Sequence, residues 1–336
     1  MSAALRILTA GPAVTLQDGG RFGRMRFGVT AAGPMDPLAC AVANAAVGAD
    51  AGAPVIEISL GGVLVDALDA AVPVALAGGA FEISLDGRPV PGAVRLTLEP
   101  GRNLRVRAGA AGAWCYLAVG ARIAVLPVLG SVATHTRSGL GGLAGRALAA
   151  GDRLPLADVR TPDAPATLVA PCLERPGDVI RVILGPQADY FADDQIALFC
   201  AGPWTISSRS DRMAYLLDGP TLRHAAGFNI ISDGIAMGSI QVPGDGRPIV
   251  LMADRQVTGG YTKIATVIGP DLGRLAQLRP GARFRFEPVT IEDAVAARRA
   301  ERDGLAALRL EPLLRQDLGS ELLLGLNLIG GVISGH

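Results

Sequence analysis

A mainly β fold with a few helices, α+β in class, is what this sequence predicts, on three observations. Short apolar or alternating runs bounded by Gly and Pro recur along the whole chain. Helical patterning is confined to three segments, and at 336 residues, half of them hydrophobic and 18% charged, the chain can bury more than one core.

The strand-like runs are residues 4–10, 54–60, 81–85, 114–119, 178–185, 247–253 and 283–289. Three runs share a Pro-Gly turn leading into an Arg-flanked strand, at 100–107, 176–182 and 280–286, which hints at duplicated units but is short enough to be local turn chemistry. Residues 35–48 predict a helix with Asp36 as N-cap, Pro37 at the first position and Gly48 as the stop. A shorter helix is expected over 271–278. A surface helix is expected over 290–304, with a Thr cap and an acidic first turn. The stretch 160–178 holds four prolines without periodicity and reads as a linker. The expected organisation is therefore a β-rich domain over 1–160, a linker over 161–178, a second domain over 179–304 carrying most of the site, and a tail over 305–336.

Composition excludes several functions. With 31 basic and 31 acidic residues the chain has no net field for a phosphate backbone, so neither nucleic acid nor an anionic membrane is an expected partner. The amino end lacks a secretory pattern and the apolar runs are broken before about 20 residues, so a cytoplasmic protein is expected. Cys40, Cys115, Cys172 and Cys200 form no CxxC pair and read as reduced core thiols. His135, His224 and His336 do not share metal-ligand spacing, so no metal site is expected. The segment 139–148 has Ala144 where a dinucleotide loop needs its third Gly, and no Lys-Ser/Thr follows for a Walker loop.

Thirty of the 31 basic residues are Arg; Lys263 alone is Lys, a special role or an accident of composition. It closes the densest polar stretch, 207–263. There Ser210, Asp211 and Arg212 precede an apolar run, Gln241 stands between Ile240 and Val242, Asp254 and Arg255 end a strand, and Thr258-Gly259-Gly260-Tyr261 leads to Lys263. Adjacent glycines can offer backbone N–H groups to an anion, with Lys263 as countercharge. Equally, Asp254 and Arg255 can be a turn ion pair and Gly259-Gly260 a hairpin turn.

Long runs in order resemble one family: 15–44, 55–62, 134–152, 181–191, 207–219, 232–281 and 326–335. The family is that of the 5-oxoprolinase C subunit, also called Kip antagonist, biotin-dependent carboxyltransferase or allophanate hydrolase subunit 2. Pro34, Ala214 and Val257 are local departures from its pattern. The resemblance implies two cyclophilin-like β-barrels and, as partners, the B and A subunits of 5-oxoprolinase. With them the chain would couple ATP hydrolysis to opening the lactam of 5-oxo-L-proline, giving L-glutamate. ATP is the implied cofactor, held together with the partner subunits. The alternative activity is transfer of a carboxyl group from carboxybiotin to urea or another small amide, with biotin only on a partner, since no AMKM-like attachment segment is present. A third reading is a regulatory binder of a sensor-kinase inhibitor.

Carried over position by position, the resemblance implies catalytic roles for Asp254, Arg255 and Lys263. It implies substrate contacts from Asn44, Glu57, Arg137, Gln187, Ser210, Arg212, Gln241, Thr258, Gly259, Gly260 and Tyr261. Asp36 and Arg146 are further candidates, with helix capping the better role for Asp36. Asn44 costs about half a kcal/mol against Ala inside a helix, which points to a hydrogen-bonding task. Arg212 or Arg255 would clamp a carboxylate through two parallel hydrogen bonds. Lys263 would neutralise charge on an acyl phosphate or enol-type oxygen. The expected pocket thus pairs donors and acceptors for an amide edge with a basic group.

Overall fold

The computed structural model describes residues 3–161, 163–175 and 178–313. Its chain is mainly β, built on two sheets. Strands between Ala4 and Ala157 form the first, a 12-stranded sheet, joined by Ala166–Val169 and Arg309–Pro312. Strands between Val179 and Pro288 form the second, of eight strands, antiparallel except where Val179–Leu184 runs parallel to Arg283–Pro288. The expected runs at 81–85 and 114–119 are the ends of two long strands, Val72–Leu85 and Asn103–Val119, paired from Val74↔Val119 to Leu85↔Leu104. Their glycines explain how the ladder survives its irregular middle: a Cβ at Gly109 would lie 2.1 Å from the Ala80 carbonyl oxygen, so only glycine fits.

The segment 161–178, read as a linker, carries the strand Ala166–Val169 and the 3-10 turn Pro171–Leu173. That strand pairs with Val94–Leu98 on one side and with Arg309–Pro312 on the other. Prolines at its flanks leave four ladder-competent residues between them, which a count of prolines does not register. Residues 176 and 177 of the second Pro-Gly device, the run 326–335 and His336 lie outside the described residues.

Helix α1, Pro37–Ala46, follows its reading closely: Asp36 accepts from the Ala39 N–H at 3.2 Å, Pro37 opens the helix, and eight of ten residues are buried. Helix α2, Asp193–Ala201, was not expected. Its six apolar residues run consecutively from Ile196 to Ala201 and so show no helical stripe, and only Gln195 and Phe199 are buried, with Asp193 and Asp194 favouring the first turn and Gly202 ending it. Helix α3 is Gly269–Ala276. Helix α4 is Ile291–Ala306, held by a capping box between Thr290 and Asp293; it buries no residue, as a surface helix should.

One apolar core fills the first sheet around Leu5, Ile7, Leu16, Ile56, Leu76 and Leu117. A second runs from α1 and the opposite face of that sheet into the second sheet, joining Val42, Ala75 and Trp114 to Tyr215, Ile264 and Phe286. The two sheets therefore share a continuous interior. Trp114 donates its indole N–H to the Tyr215 hydroxyl at 3.2 Å, and Gln277 of the second unit pairs with the backbone of Ala113 and Trp114. All four thiols are free: Cys40 and Cys115 are buried, with burial pushing the Cys115 thiol up to about 12, whereas Cys172 and Cys200 are half-buried rather than core residues. Among the described residues, no helix is long and apolar enough to cross a membrane.

Candidate functional site

Where the sheets meet, three of the expected residues converge. Glu57, mid-strand in Val55–Ile58, is completely buried, and its carboxylate accepts from the Met35 N–H at 2.7 Å, the Tyr116 hydroxyl at 2.9 Å and the Arg212 guanidinium. Arg212 extends from the second unit and also donates to both oxygens of Asp254, at 3.0 and 2.9 Å, and to the Gly33 carbonyl at 2.8 Å. Burial disfavours the charged form of Arg212, but Glu57 and Asp254 outweigh it and raise the guanidinium above its ordinary value. Burial likewise pushes Glu57 up, against the pull of Arg212, the Met35 N–H and the Tyr116 hydroxyl.

This geometry corrects three expectations. Arg212 is committed to two protein carboxylates, so it does not clamp a substrate carboxylate. Asp254 pairs with Arg212 rather than forming a turn pair with Arg255. Glu57 is consumed in the same buried network, whose orienting hydroxyl, Tyr116, the sequence reading missed because one Tyr in an apolar strand carries no signal.

A second group lies on the second sheet. Lys263 is 3% exposed, and its ammonium donates to Asp233 at 3.3 Å. Gln187 fixes its backbone: the Gln187 side-chain oxygen accepts from the Lys263 N–H at 3.1 Å, and the Gln187 N–H donates to the Lys263 carbonyl. Gln241 is the cross-strand partner of Lys263 in the ladder between Ser239–Val242 and Thr258–Val267, so the two buried side chains share a face. Beside them is Gln256, a residue the sequence reading passed over, whose Nε2 lies 3.5 Å from Gln241 Oε1. That contact leaves Gln241 Nε2 and Gln256 Oε1, one donor and one acceptor, buried without protein partners. Rotating both amides together exchanges their roles and still leaves one donor and one acceptor.

Thr258, Gly259, Gly260 and Tyr261 are not a turn and not an anion nest. They open the strand Thr258–Val267 and pair with Asn229–Gly234, so their backbone groups belong to a ladder. Gly259 leaves room for its neighbours: a Cβ there would lie 2.6 Å from both Gln241 Nε2 and Ile235 Cδ1, and those side-chain ends would have to shift. Asp233, across the ladder from Gly259, was also missed, because Ser-Asp-Gly reads as an ordinary turn.

The remaining candidates lie apart. Asn44 is buried and donates to the Ala51 and Ala53 carbonyls at 3.3 and 2.9 Å, the hydrogen-bonding task its position suggested, directed at the loop after α1 rather than at a ligand. Arg137 is exposed and pairs with Asp211, whereas Arg146 pairs with Asp152. Ser210 exchanges bonds with the Leu216 backbone. Asp36 caps α1 and pairs with Arg175. Arg255 stands alone. It is buried, donates to the Ile235 and Met252 carbonyls, and among the described residues has no ion-pair partner.

Comparison with known proteins agrees with this architecture. Residues 27–288 match the model of the carboxyltransferase domain, subdomain A and B. The chain is 39% identical to the 5-oxoprolinase C subunit of Escherichia coli (strain K12) over 294 residues, covering 88% of this chain and 94% of that one. Urea amidolyase of Saccharomyces cerevisiae is 28% identical over 94% of this chain but only 18% of its own length. Among solved structures, TTHA0988 superposes with a TM-score of 0.76 at 34% identity over 84% of this chain, which spans 55% of that protein. The K. lactis urea amidolyase superposes at 0.83 and 27% identity, covering 90% of this chain and 20% of that one. This chain belongs to the family of the carboxyltransferase domain, subdomain A and B.

Proposed function

We propose that this chain is the C subunit of an ATP-dependent 5-oxoprolinase, acting with A and B subunits to hydrolyse 5-oxo-L-proline to L-glutamate. The observation that carries the reading is the extent of the likeness to the E. coli protein, 39% identity across 94% of that chain. The second sheet supports it. A lactam presents an N–H and a C=O on one edge, and the Gln241–Gln256 pair has one acceptor and one donor unspent. Lys263, on the same face as Gln241, is the group to neutralise charge on the amide oxygen once it is activated. ATP is held jointly with the partner subunits; the chain's lack of a Walker or dinucleotide loop motivates this assignment.

The test is ATP-dependent release of glutamate from 5-oxoproline by this chain mixed with its A and B partners. Native protein should give turnover, and folded Lys263→Ala should lose roughly 10²-fold. No turnover with any partner removes the subunit assignment, and an unimpaired Lys263→Ala removes the site. ATPase activity of the purified chain alone, equal to that of the assembly, would instead sink joint nucleotide binding.

The family match favours a second reading, transfer of a carboxyl group from carboxybiotin on a partner to urea or another small amide. Such a substrate presents the same planar amide edge. Dependence of activity on a biotinylated partner distinguishes the two.

A further inference from the structure

Arg255 and Arg212 are equally buried, at 8 and 7% exposure, yet their surroundings are opposite. Arg212 faces two carboxylates. Arg255 spends Nε on the Ile235 carbonyl at 3.0 Å and Nη1 on the Met252 carbonyl at 3.4 Å, and Nη2 has no partner among the described residues. Burial depresses its pKa and no acidic neighbour offsets that shift. A buried cation supported only by carbonyl dipoles is costly to hold, and an anion supplied from outside would offset that cost.

The guanidinium opens on a cavity of about 430 Å³. Its other walls are apolar: Phe22, Met25 and Ala31 come from the loop after the first strands of the first sheet, and Ile235 and Met237 from the second unit. Among the described residues, no acidic side chain lines it. The loop is anchored from both ends, by the Arg21 N–H to the Ala31 carbonyl at 2.8 Å and by the Thr30 hydroxyl to the Ala253 carbonyl at 3.5 Å, beside the Asp254-Arg255 pair. Phe22 is 76% exposed although it faces this cavity, an apolar ring left at the rim.

We infer that this cavity between the two sheets binds a small monocarboxylate with a compact apolar body, its carboxylate on Arg255 and its body against Phe22, Met25 and Met237. A dianion such as phosphate is disfavoured, because one guanidinium supplies one charge and the other lining side chains carry no donor. None of Gln241, Gln256 and Lys263 lines this cavity, so it is separate from the amide-edge site and does not rest on the proposed 5-oxoprolinase reading.

Calorimetric titration of the isolated full chain with cyclopentanecarboxylate, with its neutral carboxamide and with inorganic phosphate tests it. Cyclopentanecarboxylate should bind at least tenfold more tightly than either of the others. Arg255→Gln should lose that preference, and Phe22→Ala, at an exposed position that cannot unfold the core, should weaken cyclopentanecarboxylate several-fold. Equal binding of the carboxylate and the carboxamide, binding untouched in both variants, or no binding by the native chain overturns the inference. Because the titration uses this chain without its A and B partners, a failed glutamate assay and a failed titration are separate results.

Discussion

Arg212 and Asp254 lie at the contact between the two sheets, joined by two parallel hydrogen bonds of 3.0 and 2.9 Å. The opposite edge of the same guanidinium reaches Glu57 of the first sheet. One side chain thus spends its donors on both units.

Arg212→Ala leaves two buried carboxylates without their cation and is expected to cost about 3–5 kcal/mol, read by urea denaturation. Glu57 is already pushed up by burial, and loss of Arg212 pushes it further, so the fold then favours the neutral acid. Stability from such a group is complete below its unfolded pKa and lost as pH rises through the folded one. The deficit of Arg212→Ala should therefore be larger at pH 8 than at pH 5. A deficit independent of pH would show that Glu57 stays ionised without its partner.

Asp271, in the first turn of α3, is fully buried and accepts from the Arg181 N–H at 2.7 Å, the Arg181 guanidinium at 2.7 and 3.1 Å and Arg274 at 2.9 Å. Burial would raise its carboxyl, but Arg181, through both side chain and backbone, and Arg274 hold it below the ordinary value of 3.8. Its contribution is present above that value and lost as pH falls through the lower native one. Asp271→Asn should cost about 2–3 kcal/mol at neutral pH, and its stability should converge with the native protein in strong acid. Parallel acid-unfolding curves would contradict this.

Gln241 tests whether the unpartnered amides are held for a ligand. Gln241→Met keeps the shape and removes a buried donor without a partner, but it also removes the acceptor of Gln256 Nε2, so the two effects oppose and stability should change by no more than about 1 kcal/mol. Turnover of the assembled enzyme should fall at the same time. A lower melting temperature together with full turnover would assign the amide a purely structural partner, such as a buried water.

The sequence by itself determined the β-rich class, the capped helix α1, the exposed helix α4 and the residues that accumulate near Lys263, because period, caps and turn residues act over a few positions. Asn44 was legible too as a polar residue with work to do inside a helix. It did not determine where that work was directed: the Ala51 and Ala53 carbonyls are placed by the loop that follows α1. Nor could it separate two arginines of the same type. Arg212 meets Asp254 and, from a strand 155 positions away, Glu57, whereas Arg255 meets only carbonyls, and those distances are closed by the packing of the strands. Gln256, beside the motif residues and equally polar, gained significance only when the ladder placed Gln241 within reach. Local patterns are written in neighbouring residues, whereas the pairing of buried charges and amides is decided by long-range burial, which leaves each polar atom either satisfied or waiting for a partner.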